Sequence, residues 1–292
     1  MQKAPLAPHP ARPPPLALPA RGRGTGSPMT GQSAEPSAPF VHTLPLPLTS
    51  RGEPLRASLT LAAAPLDWLD ANSKKFLHPD EVALVTDRLH ARRRHGLLVG
   101  RYAAKRALAG LHPEIDPRAL AVRPGVLEQP VVSGTSVRNL GISLSHAGPV
   151  ALAVAFPEGC PMGIDVERVR TDAVPLLVNQ SPRAEQLLAA RLDGPEPERQ
   201  MRLWCLKEAL SKALRCGLTV PLELLAVGSV EPDPAGLSAE FTNFAQYRGL
   251  SFVGGDLAAA LVMPKTVGLE PADWTAWRAA LAAAAALEAR PD

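Results

Sequence analysis

Gly163-Ile164-Asp165-Val166-Glu167 alternates apolar and acidic residues, the period of a strand with one face turned into a core. Further along, Trp204-Cys205-Leu206-Lys207-Glu208-Ala209-Leu210-Ser211-Lys212 lies in a helical pattern, with Leu203, Leu206, Leu210 and Ala213/Leu214 marking a buried side. Working outward, the strand spans Met162 to Glu167, helical stretches cover about 182–192 and 197–215, and strands are expected near 222–230, 237–242 and 251–262. Upstream, residues 78–111 read as a helix opened by His78-Pro79-Asp80-Glu81 and ended near Gly110. Strand-like runs follow at 119–122 and 142–144. Val150–Phe156 then returns after the turn Ala147-Gly148-Pro149, which predicts a hairpin.

This order sets the fold class as α+β. Two successive α+β halves of similar size suggest a pseudo-twofold arrangement with the active site in the cleft between them, although no repeat stands out in the sequence. The expected divisions are a disordered Pro-rich tail at 1–55, an N-terminal half at 56–160, a C-terminal half at 161–265 and an Ala-rich helix within 266–292. Thirteen of the 32 prolines precede residue 55, and that segment shows too little apolar periodicity to offset its ordering entropy.

Composition narrows the function classes. A formal charge of +3 is too small to argue for general nucleic-acid binding. No apolar run approaches the roughly 20 residues that span a bilayer, and prolines break up the start, where a secretory signal would need a continuous apolar stretch. Cys160, Cys205 and Cys216 form no metal or redox spacing, which fits a reduced, cytoplasmic protein.

The chemistry rests on oxygen ligands and cations. Asp165 and Glu167 are two apart on a strand, so they share a face at roughly 6.5–7 Å of backbone separation while Ile164 and Val166 point the other way. They suit either a hard cation or the exposed face of an edge strand. Glu208 adds a third carboxylate for a Mg²⁺ site, and Lys212, one turn on, can meet a phosphate oxygen; the same pair also reads as a surface ion pair. Because an ion ligand on a strand face contributes little packing, Asp165→Ala is expected to leave the fold nearly intact. Ser145 and His146 close a strand and can contact phosphate, or can simply be solvated. Arg92-Arg93-Arg94-His95, then Arg101, Lys105 and Arg106, form a basic helix surface on which Arg93 and Arg101 share a side. There is no Gly-rich phosphate loop, no G-x-S-x-G and no zinc cluster, so a nucleophile would arrive with the substrate.

Gly163–Glu167 and Trp204–Lys212 together resemble the paired signature motifs of the 4′-phosphopantetheinyl transferase superfamily, in its two-half, Sfp-like group. Arg93-Arg94 with Gly100-Arg101, Ser143-Leu144-Ser145-His146 and Gly217-Leu218 add weaker agreement, and the likeness runs from about 75 to 262. The resemblance implies a monomeric enzyme moving the 4′-phosphopantetheine of coenzyme A to an acidic apo acyl, polyketide or peptidyl carrier protein. It implies Mg²⁺ on Asp165, Glu167 and Glu208, catalysis by Glu208 and Lys212, and coenzyme A contacts from Arg93, Arg101, Ser145, His146, Lys207 and Lys212. Arg92, Arg94 and Arg106 become candidates for steering the carrier. One departure stands out: Glu128-Gln129-Pro130 replaces the family's lysine-bearing segment, leaving Arg93 or Lys105 to take over that phosphate contact. The competing expectation is a degenerate member that binds coenzyme A or a carrier without catalysis.

Overall fold

A computed structural model describes residues 38–134 and 138–288. The first part runs β1 (Phe40–Ser50), β2 (Glu53–Ala63), α1 (Leu66–Asn72), α2 (Pro79–Val82), α3 (Ala91–Leu111), β3 (Ala121–Pro124), β4 (Pro130–Ser133), β5 (Gly141–Ala147) and β6 (Val150–Phe156). The second runs β7 (Gly163–Arg168), α4 (Val174–Asn179), α5 (Arg183–Ala190), α6 (Glu196–Ala213), β8 (Val227–Asp233), β9 (Gly236–Phe241), β10 (Tyr247–Gly254), β11 (Leu257–Pro264), β12 (Val267–Leu269) and α7 (Trp274–Glu288). The class is α+β. Among the described residues no helix is long and apolar enough to cross a membrane.

Two five-stranded antiparallel sheets carry the architecture, in the orders β12-β1-β2-β6-β5 and β7-β11-β10-β9-β8. Helix α3 covers one face of the first sheet and α6 one face of the second. The remaining faces share a core with α7, into which Leu46, Leu59, Ile164, Val166, Phe252 and Trp277 are sealed. The edge strands β5 and β7 run against each other, and the Ile164 N–H donates to Ser143 Oγ at 3.2 Å. That junction is where the acids gather.

Three expectations need correction. The segment expected to be a disordered tail, 1–55, contains a full strand, Phe40–Ser50, while residues 1–37 lie outside the described residues. Its prolines are tolerated because they sit two apart and face away from β2; Pro47 O accepts instead from the Glu270 N–H at 3.1 Å. Nor is 78–111 one helix. His78 caps a short α2, after which the chain turns before α3 begins at Ala91. The break lets Glu81 enter the core, where it is 1% exposed. Finally, 251–262 is not a single strand but the β10–β11 hairpin, turning at Gly255 with φ 61°. Strand β11 is buried on both faces, so its sequence shows no alternation to reveal where it starts.

Candidate functional site

The site is built by the approach of α6 to β7. At Gly163 the two backbones are so close that a Cβ would run into Ala209 O and lie 2.7 Å from Ala213 N. Glycine, with Ala209 and Ala213 opposite it, lets the helix lie directly on the strand. One step along β7, Asp165 faces the helix while Ile164 and Val166 fill the shared core. On α6 the i,i+4 pair Glu208 and Lys212 projects beside the alanine stripe.

Asp165 is the hub. It is 2% exposed, accepts the Lys212 ammonium on Oδ1 at 2.5 Å, and takes the Ser145 hydroxyl on the same oxygen at 2.7 Å. Its Oδ2 is buried with no hydrogen-bond partner. A buried carboxylate oxygen without a donor is costly, so this oxygen is open to a cation.

Glu167 and Glu208 share the field of Asp165. Burial and then the Asp165 charge push the Glu208 carboxyl to about 7, against the opposing pull of Lys212. Burial, Asp165 and Glu208 likewise raise Glu167 to about 7. Burial works to lower the Lys212 pKa, but Asp165, Glu208 and Glu167 together hold it above the ordinary lysine value. Three acids and one lysine therefore behave as a single electrostatic unit. Among the described residues, no three acid, histidine or cysteine side chains already form a group able to hold a metal ion. The trio offers a hard-cation donor set and an unpaired oxygen rather than a finished coordination sphere.

His146, at the end of β5, stands on the other wall. Its ring lies over Gly96 of α3, where a Cβ would come within 2.6 Å of Cε1 and Nε2. Part of the ring stays open to solvent. Burial and the nearby Lys212, His95 and Arg92 lower its pKa, against a pull upward from Asp165. A neutral imidazole among cations is suited to donate to an anion.

Of the residues expected in the site, Asp165, Glu167, Glu208, Lys212, Ser145 and His146 come together. The others are placed elsewhere. Arg101 Nε lies 3.4 Å from Glu81 Oε1, and Lys105 Nζ lies 2.7 Å from Glu81 Oε2 at 1% exposure, so Lys105 is a core residue and not a substitute phosphate ligand. Lys207 is buried against Glu185 at 2.6 Å. Arg93 is exposed at the start of α3. Conversely, Arg92 and His95 reach His146 electrostatically, and Gly96 makes room for it. The signal available in the sequence was spacing, since Arg92 and Gly96 are one turn apart on a single helix face.

A family model described as the 4′-phosphopantetheinyl transferase superfamily matches residues 161–262 of the 292. The matched segment runs from just before β7 to within β11 and includes Asp165, Glu167, Glu208 and Lys212. A search among curated proteins found no match. The family match points to phosphopantetheine transfer, with coenzyme A as the donor substrate used by that superfamily.

Proposed function

We propose that this chain transfers the 4′-phosphopantetheine group of coenzyme A to a serine of an apo acyl, polyketide or peptidyl carrier protein, in a Mg²⁺-dependent reaction releasing adenosine 3′,5′-bisphosphate. The observation that carries this reading is the convergence of Asp165, Glu167, Glu208 and Lys212 where two sheet edges meet, inside the segment that matches the family. The two sheets with their covering helices are read as pseudo-twofold halves that divide near residue 160, with the site in the cleft between them.

Asp165, Glu167 and Glu208 are the residues to hold Mg²⁺, which when bound supplies positive charge to the coenzyme A diphosphate. Ser145 fixes the Asp165 carboxylate by its hydroxyl. Lys212, whose Nζ lies on Asp165, would meet a phosphate oxygen and offset the charge that develops there. His146 and Arg92 face the nucleotide phosphate. Glu208 is the residue to take the proton from the incoming serine hydroxyl. The serine oxygen then bonds to the β-phosphorus as the bond from that phosphorus to the bridging oxygen breaks, and the bisphosphate leaves with the electron pair. No nucleophile from this chain is needed.

Incubation with coenzyme A, Mg²⁺ and a panel of apo-carriers tests the reading by mass spectrometry. One phosphopantetheine added to a carrier serine is expected. Binding of coenzyme A with no mass gain on any carrier would favour the degenerate, non-catalytic alternative.

The pKa shifts give a second test. Glu208 in the metal-free fold binds its proton up to about pH 7, but only to about 4.5 when unfolded. Between those values the native state holds more protons, so rising pH costs stability. The Tm of the metal-free wild type should therefore fall relative to Glu208→Gln between about pH 4.5 and about pH 7. A constant Tm difference across that window would contradict the shift.

A further inference from the structure

We infer that Lys207 is a positioning residue for Glu208, acting through a buried clamp that the fold builds twice, so that the α6 clamp sets the metal affinity of the site and its α3 twin does not. This rests on the metal reading of the carboxylates above.

In the second sheet-and-helix layer, the Lys207 ammonium meets Glu185 Oε1 at 2.6 Å and Ser181 Oγ at 3.3 Å. Ser181 Oγ itself donates to Glu185 Oε1 at 2.8 Å. The other carboxylate oxygen of Glu185 accepts the Val227 N–H, at the start of β8, at 3.0 Å. One buried acid therefore ties α5, α6 and β8 together.

The first layer repeats the device with different residues. Lys105 of α3 meets Glu81 Oε2 at 2.7 Å, and Glu81 Oε1 accepts the Val122 N–H of β3 at 2.9 Å. All four charged side chains are about 1% exposed. Aligned on their lysines, Tyr102-Ala103-Ala104-Lys105-Arg106-Ala107-Leu108 matches Trp204-Cys205-Leu206-Lys207-Glu208-Ala209-Leu210 in sequence. An aromatic residue, then Lys, Ala and Leu, recur at the same offsets. The residue after the lysine is the difference: Arg106 in the first layer, Glu208 in the second.

Lys207 and Glu208 are consecutive, about 100° apart around the helix. Ala209 and Ala213 rest on β7, Lys207 is held on the α5 side, and Glu208 points between those two fixed faces. A carboxylate about 5–6 Å from a helix axis moves roughly 2 Å for a rotation of about 20°. The clamp therefore governs whether Glu208 can share an ion with Asp165. The α3 clamp shares the buried lysine, acid and strand N–H, but its acid also meets Arg101 and the residue after its lysine is Arg106.

Four variants separate aiming from plain stabilisation: Lys207→Met, Glu185→Gln with Lys207→Met, and the twins Lys105→Met and Glu81→Gln with Lys105→Met. The Glu185→Gln/Lys207→Met double leaves no buried unpaired charge, and in both doubles the glutamine still accepts the strand N–H; Glu81→Gln/Lys105→Met also takes the carboxylate from Arg101, so the α3 comparison uses whichever of its two variants stays folded. Mn²⁺ binding in the presence of coenzyme A, followed by electron paramagnetic resonance, is the readout, alongside Tm. The Lys207 variants should bind Mn²⁺ at least about tenfold more weakly, while folded α3 twins with comparable losses in Tm bind it like the wild type. Wild-type affinity in the Glu185→Gln/Lys207→Met protein, or an equal loss in both pairs, would overturn the inference. A wild type that binds no Mn²⁺ would overturn the metal reading and the inference with it.

Discussion

Asp165→Asn should lower the rate of transfer by about a thousandfold or more with the fold retained, because it removes the central negative charge while keeping the shape and an acceptor for Ser145. The isosteric change is the appropriate one. Sequence alone suggests that Asp165→Ala would be nearly silent for stability, but Asp165 is buried and holds both Ser145 and Lys212. Alanine would leave the lysine without its partner and mix a folding defect into the result. Single-turnover transfer together with thermal unfolding distinguishes the two effects. Substantial Mg²⁺-dependent activity in the asparagine variant would mean that Asp165 is not the charge on which the reaction depends.

Gly163→Ala should be the most damaging single-atom change in the site. The added carbon meets helix backbone, Ala209 O and Ala213 N, rather than a side chain that could swing away. Overpacking of this kind costs typically 1–3 kcal/mol, and more where only backbone can yield; about 3 kcal/mol or more is expected here. Any α6 that still forms must lift from β7, separating Glu208 and Lys212 from Asp165. Urea unfolding gives the stability, and the transfer assay on the folded fraction gives the function. A variant as stable and active as the wild type would show that helix and strand do not meet there.

The acidic half of the site was legible because it is local. Asp165 and Glu167 share a strand face, Glu208 and Lys212 share a helix face, and both periods can be read directly from the chain. The opposite wall was only partly legible, since the contact of His146 with Gly96 joins elements far apart in sequence. The structural roles of Lys105, Arg101 and Lys207 were hidden for a related reason. A lysine in a helix looks like a surface cation until its acid is found, and Glu81 and Glu185 lie twenty or more residues away, on separate short helices. Strand β1 was missed despite a visible signal. Leu44-Pro45-Leu46-Pro47-Leu48 has a period of two, with the leucines buried and the prolines exposed, but proline content weighed more heavily than the alternation. The repeated clamp was invisible as sequence because only three positions of the aligned helices are identical.

The pairing of β12 with β1 makes the molecule harder to cut than its two sheets suggest. Leu48 to Ser50 of the first sheet are zipped to Val267–Leu269, and Trp277 of the last helix lies 5.8 Å from the ring of His42. A cut between the layers near residue 160 would strip the first sheet of its outer strand and of the indole beneath it. The segment that carries the acids, excised by itself, would leave behind the serine and histidine opposite them. The described fold is therefore a closed circuit from β1 to α7, with its earliest described strand fastened by some of the last described residues.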